Sequence, residues 1–314
     1  MSKQTNSNTI KTSIGGQAVI EGVMMRGPKL TALSVRMPDQ SISTEVWDTP
    51  NSNKWYKKTP FIRGVFNFVE SLTDGYKSLM KAAEKAGLDE EEEEPSKFEQ
   101  KLRQLLGDKF MPFLQGCILL FSLAMALFFF AFLPTTLVGF FKDYISHPLA
   151  LSALEGLTKI AILILYLALI SNMSDIKRVF MYHGAEHKTI FCYEHGEELT
   201  VENVRKYTRF HPRCGTSFLV IVLLLSILVS SMVSWDNLWM RVGLKVLCLP
   251  IIMSLSYECI KFAGRHDNLF TRILSAPGLW TQRLTTREPD DSMIEVAIAS
   301  MKKVIPENPN EALF

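Results

Sequence analysis

The chain has 314 residues, 47% of them hydrophobic, and a formal net charge of +2. That length holds one large or two modest domains, while so small a charge singles out no partner class, and no nucleic-acid partner is expected. The five cysteines, Cys117, Cys192, Cys214, Cys248 and Cys259, are odd in number and form no CxxC pair, so no disulfide framework is implied. Apolar residues gather in long runs that a soluble domain does not need.

In chain order, Met1 to Ile10 is polar and no early apolar core precedes a cleavage site. The chain is therefore expected to start in the cytoplasm. Ser13 to Pro28 carries four glycines, which permit close backbone approach. It reads either as a tightly turning segment that places Gln17, Glu21 and Arg26, or as a glycine-punctuated strand and loop. Thr31 to Met37 and Ser41 to Trp47 are β-prone runs around Pro38-Asp39-Gln40, which predicts a hairpin. Phe61 to Lys81 spaces Phe61, Val65, Phe68, Leu72, Tyr76 and Leu79 as an amphipathic helix, expected to pack on the domain rather than lie on a membrane. Asp89 to Glu94, closed by Pro95, reads as a solvated linker.

Four apolar runs follow, at 112 to 141 (interrupted by Pro134), 150 to 171, Ser217 to Trp235 and Leu238 to Phe262. Each is near or above the roughly 20 residues that cross about 30 Å of hydrocarbon. Short turns separate the first from the second and the third from the fourth, which predicts two transmembrane hairpins. The expected fold is a mainly α membrane protein with four transmembrane helices and a small cytosolic α+β part. Its parts are a glycine-rich segment and hairpin (1–60), an amphipathic helix (61–88), a linker and lead-in helix (89–111), hairpin one (112–172), a polar loop (173–216), hairpin two (217–262) and a C-terminal segment (263–314). The polar loop carries Lys177, Arg178, Lys188, Arg205, Lys206, Arg209 and Arg213, against Lys142, Arg241 and Lys245 at the short turns. The positive-inside rule then puts the loop and both termini in the cytoplasm.

Charges inside the spans are costly unless paired. Lys245 is near enough to a span end to snorkel, and Glu155 and Lys159 stand four apart, the order that favours a helical ion pair. Glu258 lies near the cytoplasmic end of the fourth run, either as an interfacial carboxylate beside Lys261 or as a remote ligand.

The polar loop opens on Tyr182-His183-Gly184-Ala185-Glu186-His187-Lys188. On a helix His183, Glu186 and His187 share one face. H-x-x-E-H is an order in which two imidazoles ligate zinc and the carboxylate serves as base. A polar surface helix is the bland alternative. A third ligand must come from elsewhere, and Glu258 or His211 is the expected source. The loop closes on His211-Pro212-Arg213-Cys214-Gly215-Thr216-Ser217, where His211 and Cys214 are both capable ligands and Arg213 suits an anionic group. It also reads as a simple helix cap. Beyond the fourth run, Pro277 to Pro289 is polar with Trp280 suited to the headgroup level. Ser292 to Val304 then predicts a short amphipathic helix with Ser292 as N-cap and Glu295 three residues later.

Together Gly15 to Pro28, Tyr182 to Lys188, His211 to Phe218, and Gln282 to Pro289 with Glu295-Val296-Ala297 resemble the bacterial YqhQ-like family. The resemblance implies an integral membrane protein described as a predicted metal-dependent enzyme. On that basis the expected function is a metal-dependent, hydrolytic membrane enzyme with its site at the cytoplasmic face. His183, His187, Glu258 and His211 are the candidate ligands of a divalent metal, zinc foremost. Glu186 is the candidate base, and Arg26 and Arg213 the candidates for stabilising developing negative charge. Expected partners are membrane lipids and a lipid-linked or membrane-proximal peptide substrate. The alternative is a non-catalytic factor for membrane-protein biogenesis or translocation that docks on a membrane complex. A channel is the weakest reading, because four spans with few buried charges make a poor pore.

Overall fold

The computed structural model describes residues 10–50, 55–87, 97–266 and 268–313. The acidic run Asp89 to Glu94 and the first nine residues lie outside the described residues. The chain divides into two compact units, one of Met1–Leu88, Ile164–Leu225 and Pro250–Phe314, the other of Asp89–Leu163 and Ser226–Leu249.

The glycine-punctuated segment is strand, not an irregular turn. β1 (Gly15–Val19) and β2 (Gly22–Arg26) form a hairpin through Ile20-Glu21, and β3 (Leu30–Arg36) and β4 (Ile42–Asp48) extend it to an antiparallel sheet of order β1-β2-β3-β4. Glu21 and Gln40, one in each tight connection, hold positive φ of 50° and 68°. Side chains alternate faces along a strand, and here both faces are covered. Val23, Met25 and Ala32 join one apolar cluster, while Met24, Leu33 and Val35 join another with Val19 and Ala82.

The helices follow. After a short α1 (Trp55–Lys58) comes α2 (Arg63–Lys85), whose Ala82 closes one face of the sheet. Beyond α3 (Lys97–Leu106), the first apolar run forms α4 (Phe110–Leu127) and α5 (Leu133–Gly139), joined by a π-helical turn at Phe128–Phe132. Pro134 has no N–H for the preceding turn, so the helix widens there instead of breaking. α6 (Pro148–Ile170) is the second apolar helix. The polar loop then proves to be largely α7 (Ser174–Glu194) and a single turn, α8 (Val201–Arg205), capped by Thr200, whose side chain accepts from the Asn203 N–H. α9 (Gly215–Ser231) is followed by α10 (Leu238–Arg265), which carries Pro250 inside it. Three stretches, Phe113–Gly139, Pro148–Ile170 and Leu238–Arg265, are long and apolar enough to cross a membrane, whereas Gly215–Ser231 is a shorter apolar helix.

The polar segment after α10 is also helical. α11 (Leu269–Thr285) runs through Pro277 and starts on a capping box, Asn268 accepting from the Thr271 N–H while the Thr271 hydroxyl accepts from the Asn268 N–H. α12 (Asp291–Val304) is capped by Asp290, which accepts from Met293 at 3.0 Å, and not by Ser292, whose hydroxyl donates to the same carboxylate. A charged side chain two residues earlier satisfies the helix's free N–H groups and its dipole together. α12 is central to the unit: Met293, Ile294, Val296, Ala297, Ile298, Met301 and Val304 are buried in the cluster shared with Tyr182, Ala185 and Ile190 of α7. At roughly 1.5 to 3 kcal/mol for each large apolar side chain, this burial fixes α7 against the sheet.

Candidate metal centre

α7 sets His183, Glu186 and His187 on one face, as the sequence spacing requires. His183 Nδ1 lies 2.8 Å from the Thr285 carbonyl oxygen and His187 Nδ1 2.5 Å from that of Arg209. A carbonyl only accepts, so each Nδ1 carries the proton and each Nε2 presents a lone pair. His183 Nε2 is 3.1 Å from Cys214 Sγ. His187 Nε2 is buried with no hydrogen-bond partner. One donor atom from each of His183, His187 and Cys214 lies within 4.8 Å of the other two. This carbonyl-to-Nδ1 arrangement is the one that orients metal-ligating imidazoles.

Close backbone approach creates the geometry. A Cβ on Gly184 would meet the Arg287 carbonyl oxygen at 2.1 Å, so only glycine lets the 285–289 segment pass near enough for Thr285 to reach His183. The Arg287 N–H donates to the Phe180 carbonyl, and Lys188 pairs with Glu288, fixing that segment along α7. Gln282, buried on α11, clamps His211 by its backbone, accepting from the N–H at 2.8 Å and donating to the carbonyl at 2.7 Å. That clamp delivers Cys214 to the start of α9, where its sulfur sits 3.4 Å from the Thr216 N–H and 3.2 Å from the Thr216 hydroxyl.

Glu186 stands behind the trio. The Gly16 backbone N–H lies toward its carboxylate and favours the charged form, while Oε2 is buried without a partner. A Cβ on Gly16 would lie 2.9 Å from the Glu186 side chain, so β1 backs directly onto this carboxylate. Burial pushes the Glu186 carboxyl up to about 8 and the His187 imidazole down to about 4. Burial also opposes a Cys214 thiolate, but the imidazole of His187 and the contacts to Thr216 outweigh it and lower the thiol. The donor set suits a borderline-soft divalent ion such as zinc, for which two imidazoles, one thiolate and one carboxylate are ordinary ligands.

The other expected site residues are placed elsewhere. Glu258 forms a two-pronged ion pair with Arg63 of α2, Nε to Oε1 at 2.6 Å, and is not among the converging donors. Paired with a guanidinium, it has no need of an ion. His211 packs its ring 5.4 Å from that of His187 but directs Nε2 toward Glu194 at 3.8 Å. Arg213 binds the same carboxylate and the Thr12 carbonyl at 2.8 Å. Arg26 reaches Asp74 at 3.5 Å and Glu70 at 3.9 Å. Gln17 touches Gly75, and Glu21 pairs with Arg178 at 2.5 Å and accepts from the Tyr182 hydroxyl at 3.2 Å. The third converging donor is instead Cys214, a ligand-capable residue in sequence but separated from the pair by α8. Gly16, Gln282 and Thr285 lie within the Gly15 to Pro28 and Gln282 to Pro289 motifs but offer no ligand-type side chain, since two act through backbone atoms and the third through a loop it clamps.

The family described as a protein of unknown function, DUF1385, matches residues 59–307. The chain belongs to this family. It is 35% identical over 303 residues, 96% of this chain and 94% of the other, to the uncharacterized protein YqhQ of Bacillus subtilis (strain 168). No solved structure matches.

Proposed function

We infer that the chain is a metal-dependent integral membrane enzyme, hydrolytic in type, whose centre is His183, His187 and Cys214 with Glu186 as base. One observation carries this reading: both imidazoles commit Nδ1 to backbone carbonyls and converge their Nε2 atoms with a cysteine sulfur, beside a buried carboxylate oxygen that has no partner. Three protein ligands and an open position are the pattern of catalytic rather than structural zinc sites. A bound divalent ion supplies Lewis acidity toward a carbonyl or phosphoryl oxygen. Glu186 is placed to hold the proton that such chemistry moves, and Gly16 fixes its carboxylate from behind. Four spans complete the reading: Gly215–Ser231, at 17 residues, rises about 25 Å and crosses with modest thinning of the bilayer. The lysines and arginines between the second and third spans then set the centre and both termini in the cytoplasm. A substrate at that level is a lipid-linked headgroup or a membrane-proximal peptide.

A second reading is a non-catalytic biogenesis or translocation factor with a structural metal. Its support is that Arg26 and Arg213 are both engaged in ion pairs rather than poised for substrate charge. Metal analysis of the intact, gently purified protein separates the two. The enzyme reading expects one equivalent in wild type, none in His187→Ala or Cys214→Ser, and full retention in Glu186→Gln. Loss from Glu186→Gln favours the closed structural site, and wild-type protein that neither carries metal nor binds zinc or cobalt on titration overturns both.

A further inference from the structure

α2 inverts the usual burial of an amphipathic helix. Its small residues Gly64, Gly75, Ser78 and Ala82 face the protein, and its charged flank is tied down by Arg26 to Glu70 and Asp74 and by Lys81 and Lys85 to Glu45. The third face carries Phe66, Val69, Leu72, Tyr76 and Met80, each 45 to 55% exposed. At the helical step these five occupy roughly a third of the circumference, one continuous stripe. A water-facing helix does the opposite.

The joint with α10 sets the depth at which the stripe lies. Gly64 brings the two backbones so close that a Cβ there would meet Ser254 Cα at 2.6 Å and Tyr257 Cβ at 3.0 Å. Ser254 lies well inside α10, a helix long and apolar enough to cross a membrane, and Arg63 beside the contact is paired with Glu258. Phe68 packs on Phe218 near the start of apolar α9, ring centres 5.5 Å apart. The stripe therefore begins at the apolar depth of α10, whose own Ile251, Leu255 and Phe262 are exposed.

We propose that α2 is a membrane-embedded arm that lies along the leaflet on the β-sheet side, with Phe66, Val69, Leu72, Tyr76 and Met80 among lipid acyl chains. Charged groups flank the stripe on one side only, as in helices that lie in the interfacial plane. The sheet that backs Glu186 is fastened to the same helix through Gln17 against Gly75 and the Ser78 hydroxyl on Met24. The arm is independent of the metal reading and holds whether or not the centre turns over a substrate.

Depth-dependent quenching of the full-length protein in lipid nanodiscs tests it. An environment-sensitive fluorescent noncanonical residue is placed at Leu72, at Val69 as a second stripe position, or at Lys77 on the charged flank. Nitroxide-bearing acyl chains should quench positions 69 and 72 several-fold more than position 77, and aqueous iodide should show the reverse order. Iodide quenching at 69 and 72 equal to that at 77 overturns the proposal. So does protection of both stripe positions from both quenchers, which would mean that protein, a second copy included, covers the face.

Discussion

Two buried polar clusters in this chain differ in one respect that decides how each is read. In the first, Glu155, with 0% exposure, receives Lys159, Lys245 and Arg241, and the remaining donors go to Ser152, Ser230, Thr135 and the backbone carbonyls of Ser230, Val233 and Ser234. Arg241 also stacks on Trp235 at 3.7 Å. In the second, His187 Nε2 and Glu186 Oε2 are equally buried and bond nothing. An unmade buried hydrogen bond costs about 1 to 3 kcal/mol, so a fold retains one where something else uses the atom. Saturation reads the Glu155 cluster as architecture, and the orphaned atoms beside converging imidazoles single out the histidine cluster as the candidate site.

The largest expected effect breaks the first cluster. Glu155→Ala leaves three buried cations without their carboxylate, and removing one partner of a buried ion network costs about 3 to 5 kcal/mol. The unfolding midpoint in detergent should drop steeply, with little folded protein recovered from membranes. His187→Ala should behave oppositely, losing bound metal altogether while the metal-free protein melts close to metal-free wild type. Equal destabilisation by the two variants, each compared without metal, would erase the distinction between architecture and site.

The neighbouring Glu194 offers a saturated contrast within the unit that holds the centre. Burial pushes its carboxyl up, but His211, Arg213 and the Thr12 N–H together hold it down at about 2 against an ordinary 4.5. A depressed carboxyl contributes stability that is present above about 4.5 and is lost as pH falls toward 2, on the order of 2 to 3 kcal/mol across that window. Glu194→Gln should be less stable than wild type at neutral pH and should flatten the acid limb of a stability-against-pH curve. A wild-type limb that keeps its shape in the variant would assign the acid sensitivity elsewhere.

What the sequence made legible follows the range of each interaction. The β3–β4 hairpin and the face shared by His183, Glu186 and His187 are local, set by turn residues and helical spacing, and both appear where the pattern puts them. α2 packs on the domain as its amphipathic spacing predicts, but through its small residues Gly64, Gly75, Ser78 and Ala82, because periodicity reports that a helix has an apolar face, not which face meets protein. Glu258 looked like a remote ligand because its depth along α10 was readable while its partner Arg63, some two hundred residues earlier, was not. Cys214 is visible as a ligand type, yet the Gln282 clamp on the His211 backbone is what brings it to the histidines, and a glutamine that acts on backbone atoms shows in the Gln282 to Pro289 motif without showing what it holds. The third apolar helix ends at Ser231, short of Trp235, where Arg241 takes the backbone carbonyls of Ser230, Val233 and Ser234.

The smallest expected effect sharpens the comparison most, since it uses the same substitution in both clusters. Thr135 accepts from Lys245 at 2.7 Å, and Thr216 contacts the Cys214 sulfur through its hydroxyl at 3.2 Å. Thr216→Ala removes that one side-chain hydrogen bond, whereas Thr135→Ala also removes those from the Thr135 hydroxyl to the Ala131 carbonyl at 2.7 Å and to Glu155 at 3.4 Å, each worth about 0.5 to 1.5 kcal/mol, or somewhat more where the abandoned partner is charged. On stability Thr135→Ala should therefore be the costlier of the two. They should separate on metal: Thr216→Ala withdraws a donor that lowers the thiol, so zinc affinity should fall, by up to about 10-fold for an outer-shell contact, and the pH at which metal is released should rise. Thr135→Ala should leave metal affinity and its pH dependence unchanged. If both variants weaken zinc equally, the loss reflects general loosening rather than the electronics of the Cys214 sulfur, and the thiolate is then not the ligand its neighbours prepare.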